Sequence, residues 1–193
     1  HGCAACSVAC NYSAIRDSYK FIGKVTSYKT DEDGACMFEA KMTPGVSSPV
    51  PIIKSAVKMA VKQANQHNAD YVILDSPPGT ACPFIQTASH ADFVVLVTEP
   101  TPFGLSDLKQ SVDTLKTMGK EMGVVVNRAG LGNRDVYQYL EKESIPLLGE
   151  IPFNKEIALL YSEGRIAVKE LSSLQVIFED IVKNIVSYGN SSN

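Results

Sequence analysis

The sequence has 193 residues, of which 45% are hydrophobic and 20% are charged, close to the averages for globular domains. This composition excludes a disordered or fibrous chain, and no apolar run approaches the roughly 20 residues that a membrane-spanning helix needs. The formal net charge of −3 disfavours non-specific binding to nucleic acid or to an anionic membrane.

The N-terminal third of the sequence combines a cysteine-rich segment with a predicted hairpin and helix. Residues 1–11 are rich in Cys and Ala and predict a metal-site loop. Lys24–Lys29 and Cys36–Met42 are predicted strands, joined by a turn signal at residues 31–34. Residues 52–66 carry apolar side chains at helical spacing and predict an amphipathic helix.

Beyond residue 70 the sequence alternates between continuous apolar runs and helical patterns. The predicted strands are Tyr71–Leu74, Phe93–Val97, Gly123–Val126 and Leu147–Ile151, and the predicted helices are Pro83–Ser89, Leu105–Met118, Asp135–Glu143, 154–163 and 171–188. Runs that are apolar at every position indicate strands buried on both faces, and their alternation with helices predicts a parallel sheet covered by helices. The small, polar tail at residues 189–193 is expected to fray.

Polar side chains follow the predicted strands, and ligands of open α/β sheets bind beyond the carboxyl ends of the strands. Asp75 ends the first run and precedes a loop rich in Pro and Gly, which suits a carboxylate that holds Mg²⁺ beside phosphates. The alternative is an aspartate that only caps the next turn. Three other apolar runs end at Glu99, Asn127 and Pro152. These residues are therefore further candidates for a ligand site at the carboxyl ends of the strands.

Four segments in this order resemble the MinD/ParA/Mrp superfamily of P-loop ATPases, in particular the branch with an inserted ferredoxin module. They are DSPPGTACP at 75–83, VTEPTPFGLSDL at 97–108, VVVNRAG at 124–130 and IPLLGEIPFNKEIALLYSEG at 145–164. Asn154 departs from the family, where Asp is commoner. The resemblance extends from residue 1 to about residue 170, and it implies a doubly wound, mostly parallel α/β fold that binds ATP and Mg²⁺.

The resemblance also implies roles for individual residues. Asp75 would be the carboxylate associated with Mg²⁺, and Gly79 the switch II glycine that senses the γ-phosphate. Asn127 would bind the edge of adenine, because its side-chain amide offers both a donor and an acceptor. Pro152 and Phe153 would flank the base.

Further positions in the similar segments have less defined roles. The resemblance places Glu99 and Pro100 in a loop near the nucleotide. Arg128 would face either the ribose or only a neighbouring carboxylate. Cys82 has no second ligand near it in sequence, and Cys36 lies in a predicted strand, so both are interpreted as structural thiols, that of Cys82 as buried.

The spacing Cys3-x2-Cys6-x3-Cys10 matches the end of the bacterial ferredoxin run C-x2-C-x2-C-x3-C-P, with Asn11 in the place of Pro. Thiolates are soft ligands that suit four-iron four-sulfur clusters. A structural zinc site is the alternative, and it needs a fourth ligand. By the resemblance, Cys3 and Cys6 would share one cluster and Cys10 would bind a second.

The phosphate-binding pattern G-x4-G-K-[ST] does not occur in the sequence. Because the resemblance places that pattern upstream of the ferredoxin insertion, we expect a longer native polypeptide and two incomplete sites in this fragment. Residues 1–22 would then be the C-terminal part of the insertion, and residues 23–193 the C-terminal part of the nucleotide-binding domain. Five cysteines without a disulfide framework favour a reducing cytoplasm.

The function implied by the resemblance is ATP hydrolysis coupled to iron–sulfur cluster handling or electron transfer. We expect a homodimer with an iron–sulfur or redox protein as partner, and neither nucleic acid nor membrane. Two alternatives are a redox or scaffold module with a degenerate nucleotide site, and an ATP-dependent amidoligase of the cobyrinic acid a,c-diamide synthase type. A spatial regulator of the MinD or ParA type is disfavoured, because residues 171–188 do not form a basic amphipathic helix.

Overall fold

The computed structural model describes residues 3–16, 18–29 and 35–190, and the chain divides into two units, residues 1–72 and 73–193. The predicted turn at 31–34 lies outside the described residues. The elements are α1 (Ala5–Ala9), β1 (Gly23–Lys29), β2 (Cys36–Met42), α2 (Val50–Gln66), α3 (Cys82–Ala88), β3 (Phe93–Thr98), α4 (Pro102–Thr117), β4 (Glu121–Ala129), α5 (Asp135–Glu143), β5 (Leu147–Pro152), α6 (Lys155–Ser162), α7 (Ala167–Glu170) and α8 (Ser172–Asn190).

The first unit is built on a two-stranded antiparallel sheet of β1 and β2, as the sequence predicts. Helix α2 packs against this hairpin and buries Ile52 and Val57, which lie on its apolar face. A Cβ atom on Gly23 would lie 2.4 Å from Ile52 Cδ1 and 2.5 Å from the carbonyl oxygen of Lys41. A side chain at position 23 would therefore separate the helix from the sheet.

The cysteine-rich segment differs from the predicted loop. Residues 5–9 form the short helix α1, and Cys10 is its C-cap. Alanine has the highest helix propensity, which favours one helical turn in this Ala-rich stretch. Cys6 therefore lies on a helix, and Cys10 directly follows it.

The second unit contains a three-stranded parallel sheet in the order β3-β4-β5. This arrangement confirms the α/β class and three of the four predicted strands. The fourth prediction, a strand at Tyr71–Leu74, is wrong: no described strand pairs with these residues. A strand requires backbone partners, and without them Tyr71 and Ile73 have exposed fractions of 68% and 92%.

Two hydrophobic clusters cover the two faces of this sheet. On one face, β4 packs against α4 and α5; the fully buried residues there are Val112, Leu115, Val124, Val126 and Val136. On the other face, Val125 and Leu148 contact Ile181 of α8. Each fully buried Val or Leu side chain contributes about 1.5–3 kcal/mol relative to an exposed one.

Strand β3 is not buried on both faces, contrary to the prediction from its apolar run. Val95 and Val97 are 37% and 64% exposed, whereas the neighbouring Leu96 is buried. The second cluster draws its buried residues from β4, β5 and α8, and β3 adds only the partly buried Phe93 to it. Burial of β3 is therefore one-sided over most of its length.

The C-terminal region adds one element that the sequence did not predict and extends another. Helix α7 is a single turn, too short to give a periodic signal. Helix α8 continues to Asn190, so the predicted fraying of residues 189 and 190 is wrong, while residues 191–193 lie outside the described part. None of the helices described is both long enough and apolar enough to cross a bilayer.

Candidate functional site

The loops that follow β3, β4 and β5 lie at the same edge of the sheet, because the three strands are parallel and adjacent. This edge holds most of the site residues predicted from the sequence: Glu99, Pro100, Asn127, Arg128, Pro152 and Phe153. The fold therefore brings together the residues that the sequence predicts to lie near the base of a nucleotide. Asp75 and Gly79 precede this sheet in the chain.

The loop after β3 is held by a short network of hydrogen bonds. The N–H of Thr101 donates to the carbonyl oxygen of Glu99 over 2.8 Å. The hydroxyl of Thr101 caps α4 by accepting the N–H of Gly104 at 3.0 Å, and the Thr98 hydroxyl donates to the Gly104 carbonyl at 3.0 Å. Pro100, between Glu99 and Thr101 in the chain, has a fully buried side chain. The backbone that carries Glu99 is therefore fixed.

The end of β4 contains a bulge at Arg128. Asn127 and Ala129 pair with consecutive residues of β5, which leaves Arg128 as the extra residue, with a φ of 53°. This left-handed conformation costs a residue other than glycine about 1–2 kcal/mol. Pairing resumes beyond the bulge, where the N–H of Phe153 donates to the Ala129 carbonyl over 3.0 Å.

The bulge directs the side chain of Arg128 toward the neighbouring loop. Its Nε atom lies 3.4 Å from Oε1 of Glu99, and the two side chains are 57% and 40% exposed. Glu99 is therefore a neighbouring carboxylate within reach of Arg128, and the contact of Arg128 with a ribose stays a prediction. An ion pair this exposed adds at most about 1 kcal/mol of stability.

The side chain of Asn127 is half-buried, and a hydrogen bond from the neighbouring backbone orients it. Its Oδ1 accepts the N–H of Arg128 at 3.0 Å. Within the described part of the chain, no hydrogen bond occupies the Nδ2 group. The side chain of Phe153 is 45% exposed. Both groups lie at the same end of the sheet. An amide donor can form a hydrogen bond with the edge of a purine base, and an exposed aromatic ring can stack on its face.

The predicted phosphate-side residues are less constrained. Asp75 and Gly79 are exposed, and they lie in a segment without regular secondary structure. Gly79 has a φ of 88°, a conformation that glycine adopts readily. Among the described residues, no hydrogen bond or ion pair joins Asp75 to the loops after β3, β4 and β5. Its uncommitted carboxylate has the chemistry that Mg²⁺ requires.

The N-terminal cysteines do not form a ligand set in this structure. Cys3 and Cys6 are exposed, and no group of three His, Cys, Asp or Glu side chains in the described ranges can hold a metal ion. Cys10 is partly exposed, and its Sγ accepts the N–H of Ala14 at 3.4 Å. This hydrogen bond, followed by one from Tyr12, lowers the pKa of the Cys10 thiol. The cysteines as arranged do not fit a complete cluster.

Cys82 is exposed, so its interpretation as a buried thiol is wrong. It is the first residue of α3, whose buried face is formed instead by Phe84, Thr87 and Ala88. The other thiol interpreted as structural, that of Cys36, is partly buried.

A surface cavity of about 780 Å³ lies between the loop at 130–134, α5 and β5, and no predicted site residue lines it. Inside it, the hydroxyl of Tyr137 donates to Oε1 of Glu150 over 2.6 Å. Burial, and then this carboxylate, raise the pKa of Tyr137 to about 12. Neither residue was predicted from the sequence, although Glu150 is the one charged residue in an otherwise apolar run at 147–151 and is the signal that could have indicated the pair.

Residues 37–186 match the family described as ParA: NUBPL iron-transfer P-loop NTPase. The chain is 28% identical to the uncharacterised protein MJ0579 of Methanocaldococcus jannaschii, covering 96% of this chain and 62% of that protein. It is 27% identical to a protein of Aedes aegypti named cytosolic Fe-S cluster assembly factor Nubp2 homolog, covering 67% and 58%. The chain thus spans less than two thirds of these relatives.

Two solved structures are similar in fold. One is the cell division ATPase MinD of Pyrococcus furiosus, with a TM-score of 0.56 and 25% identity over 70% of this chain and 57% of that one. The other is the MinD cell division protein of Aquifex aeolicus, with a TM-score of 0.57 and 22% identity over 69% and 59%. The three-stranded parallel sheet and its helices therefore belong to the MinD-like P-loop NTPase fold.

Proposed function

We propose that this chain, which belongs to the ParA family of NUBPL iron-transfer P-loop NTPases, supplies the base-binding part of an ATP site in a protein that handles iron–sulfur clusters. The observation that carries the proposal is the hydrogen bonding of the side-chain amide of Asn127. Its amide oxygen is held by the N–H of Arg128, its Nδ2 donor has no partner among the described residues, and it lies where α/β proteins bind ligands.

In this proposal Asn127 donates its Nδ2 hydrogen to a ring nitrogen of adenine, while Pro152 and the exposed ring of Phe153 lie against the base. Asp75 holds the Mg²⁺ ion that accompanies the phosphates. Gly79 has no side chain, so its backbone can approach the γ-phosphate closely. Bound ATP would supply the phosphoanhydride bond whose cleavage drives the cycle of the complete protein. The protein acts as a homodimer in the cytoplasm.

The second part of the proposal is that an iron–sulfur cluster is the cargo. Support comes from the description of the family and from the name of the Aedes relative. Cys3, Cys6 and Cys10 are the candidate sulfur donors, within residues 1–22 as the end of a ferredoxin-like insertion. Because these residues do not form a ligand set here, the remaining donors would come from other parts of the complete protein or from an iron–sulfur partner.

The nucleotide part is tested by replacing Asn127 in the complete reading frame that contains this chain. Asn127→Ala removes the amide and is expected to weaken Mg·ATP binding about three- to tenfold, as for the loss of one or two hydrogen bonds. Asn65→Ala is the matched control, because Asn65 is an exposed asparagine on α2. Equal affinity of both variants and the parent in calorimetry would contradict the assignment.

The cluster part is tested by anaerobic reconstitution with iron and sulfide, followed by visible absorption. We expect Cys3→Ser, Cys6→Ser and Cys10→Ser each to lower the bound iron of the complete protein. Cys82→Ser is the control, because Cys82 is also exposed but lies outside the cysteine-rich segment. The same iron content in all four variants and the parent would exclude these cysteines as cluster ligands.

A further inference from the structure

The cavity beside Tyr137 lies past the last strand of the parallel sheet. In the order β3-β4-β5, β5 is an end strand, and no described strand pairs with its outer edge. Helix α5 packs on one face of this sheet and α8 on the other. The residues that line the cavity include Tyr137 of α5, Leu147 and Glu150 of β5, and Tyr188 of α8. Because one cavity can contact both helices only where the sheet ends, it is a groove along the outer edge of β5, the edge groove.

The outer edge of β5 is suited to pairing with a further strand. An end strand presents backbone N–H and C=O groups without partners in the sheet, and such an edge is a template for another chain. Lysine or proline within an end strand commonly prevents this pairing. Residues 147–151 of β5 contain neither. The space beside them, about 780 Å³, lies within the range of about 300–1,000 Å³ that is typical of ligand sites.

Two carboxylates line the side of the edge groove that α5 forms. The hydroxyl of Tyr137 donates to Oε1 of Glu150 at 2.6 Å, and Oε2 has no hydrogen-bond or ion-pair partner within the described ranges. Glu141, in the last turn of α5, also lines the groove, and its carboxylate has no such partner in those ranges. Arg134 lies at the other end of α5, 5.5 Å from the centroid of the Tyr137 ring. Two negative charges and one positive charge leave this side net negative.

Tyr188 supplies aromatic surface on the side that α8 forms, and its side chain is 45% exposed. Successive side chains of an extended strand point to opposite faces of its sheet. A strand added beside β5 would therefore direct alternate side chains toward the carboxylates of Glu141 and Glu150, and the others toward Tyr188. Basic residues suit the first set of positions, and apolar residues suit the second.

We propose that the edge groove binds an extended segment of a partner protein, in which basic and apolar residues alternate, as an added strand beside β5. Pairing of the two backbones supplies affinity, and the carboxylates of Glu141 and Glu150 select the basic side chains. The inference is independent of the proposed nucleotide function, because no residue assigned to the nucleotide lines the groove.

The test uses three synthetic six-residue peptides and the product of the complete reading frame. Lysine and valine alternate in the first peptide, and glutamate replaces lysine in the second. The third is the lysine peptide with methyl groups on all its backbone nitrogens, which therefore cannot donate to β5. We expect the lysine peptide to bind in a fluorescence anisotropy titration, and each of the other two to bind at least about threefold more weakly.

A charge variant tests whether the carboxylates make the selection. Glu150→Gln keeps an acceptor for the Tyr137 hydroxyl but removes the charge, so the ratio of the affinities for the lysine and glutamate peptides should fall at least about twofold. Glu179→Gln is the matched control, because Glu179 is an exposed glutamate of α8 that also accepts one side-chain hydrogen bond, from Gln175 at 3.1 Å. This control should leave the ratio unchanged.

Hydrogen exchange locates the bound peptide. The backbone amides of β5 that exchange readily in the free protein should exchange more slowly when the lysine peptide is bound.

Other results would overturn the proposal. Absence of binding by the lysine peptide, or equal affinity for the lysine and glutamate peptides, would contradict a groove that selects basic segments. Undiminished binding of the methylated peptide would show contact through side chains without an added strand. If the same amides of β5 were protected without peptide and lost this protection on dilution of the protein, the occupant would be a second copy of the chain.

Discussion

A Cβ atom added to Gly132 would lie 1.8 Å from the carbonyl oxygen of Pro100. The loop after β4 therefore packs with its backbone directly on the loop after β3. The N–H of Asn133 donates to the same carbonyl oxygen at 3.3 Å, and Gly132 itself has a φ of 78°. These contacts join the loop that carries Glu99 to the loop that follows β4, without any ligand.

Replacing this glycine should separate the two loops. We expect Gly132→Ala to lower the free energy of unfolding by about 1–3 kcal/mol or more, because the new methyl group collides with backbone and the positive φ is strained. Gly130→Ala is the matched control: its φ is 92°, but no atom lies within 4 Å of an added Cβ. Urea unfolding of the two variants measures the difference, and equal stabilities would contradict the close packing.

Asn184 of α8 binds the backbone of β5 at an irregularity in its pairing with β4. The Nδ2 group of Asn184 donates to the Leu148 carbonyl over 2.8 Å, and the register shifts between the partners of Val124 and Val125. We expect Asn184→Ala to destabilise the second unit by about 1–2 kcal/mol, since a part-buried carbonyl loses its donor. Lys183→Ala removes only an exposed ion pair and should cost less than about 0.5 kcal/mol in the same unfolding experiment.

Tyr137 should make stability depend on pH in the alkaline range. Burial and the Glu150 carboxylate raise the pKa of Tyr137 from 10.0 to about 12 in the folded state. A raised pKa means that the folded state favours the neutral phenol, so its contribution is complete below about pH 10 and is lost as the pH rises toward about 12. Tyr137→Phe should remove this component, whereas Tyr161→Phe, at a tyrosine that is 70% exposed, should retain it.

The measurement for this prediction is the free energy of unfolding at several pH values across that range, together with the ultraviolet absorption of tyrosinate. The parent protein should lose stability more steeply than Tyr137→Phe. Parallel curves for the parent and Tyr137→Phe would show that the folded state does not raise the pKa of Tyr137, and would contradict the prediction.

Local sequence patterns predicted much of this fold because they reflect burial. The runs at 93–97, 123–126 and 147–151 became β3, β4 and β5, and Asp135–Glu143 became α5 with its predicted bounds. The same reasoning failed at 71–74, because an apolar run indicates a tendency to be buried but not whether a neighbouring strand is present to accept its hydrogen bonds.

The sequence indicates which residues lie at the ends of the strands, but not the geometry in which the fold presents them. Asn127 and Phe153 could be identified from their positions after apolar runs and from the resemblance. The left-handed conformation of Arg128 could not, because it arises from the pairing of β4 with β5 and carries no local signal in an Asn-Arg dipeptide. The cavity beside Tyr137 also depends on packing between distant segments.

In the proposed function, this chain carries the base-binding side of an ATP site whose phosphate-binding pattern is absent from its sequence. The most direct measurement is a calorimetric titration of Mg·ATP into this chain and into its complete reading frame. We expect saturable binding by the complete protein and at least about tenfold weaker binding by the chain, because its sequence has no phosphate-binding pattern. Absence of binding by the complete protein would contradict the ATP site and leave the cluster-handling module as the function.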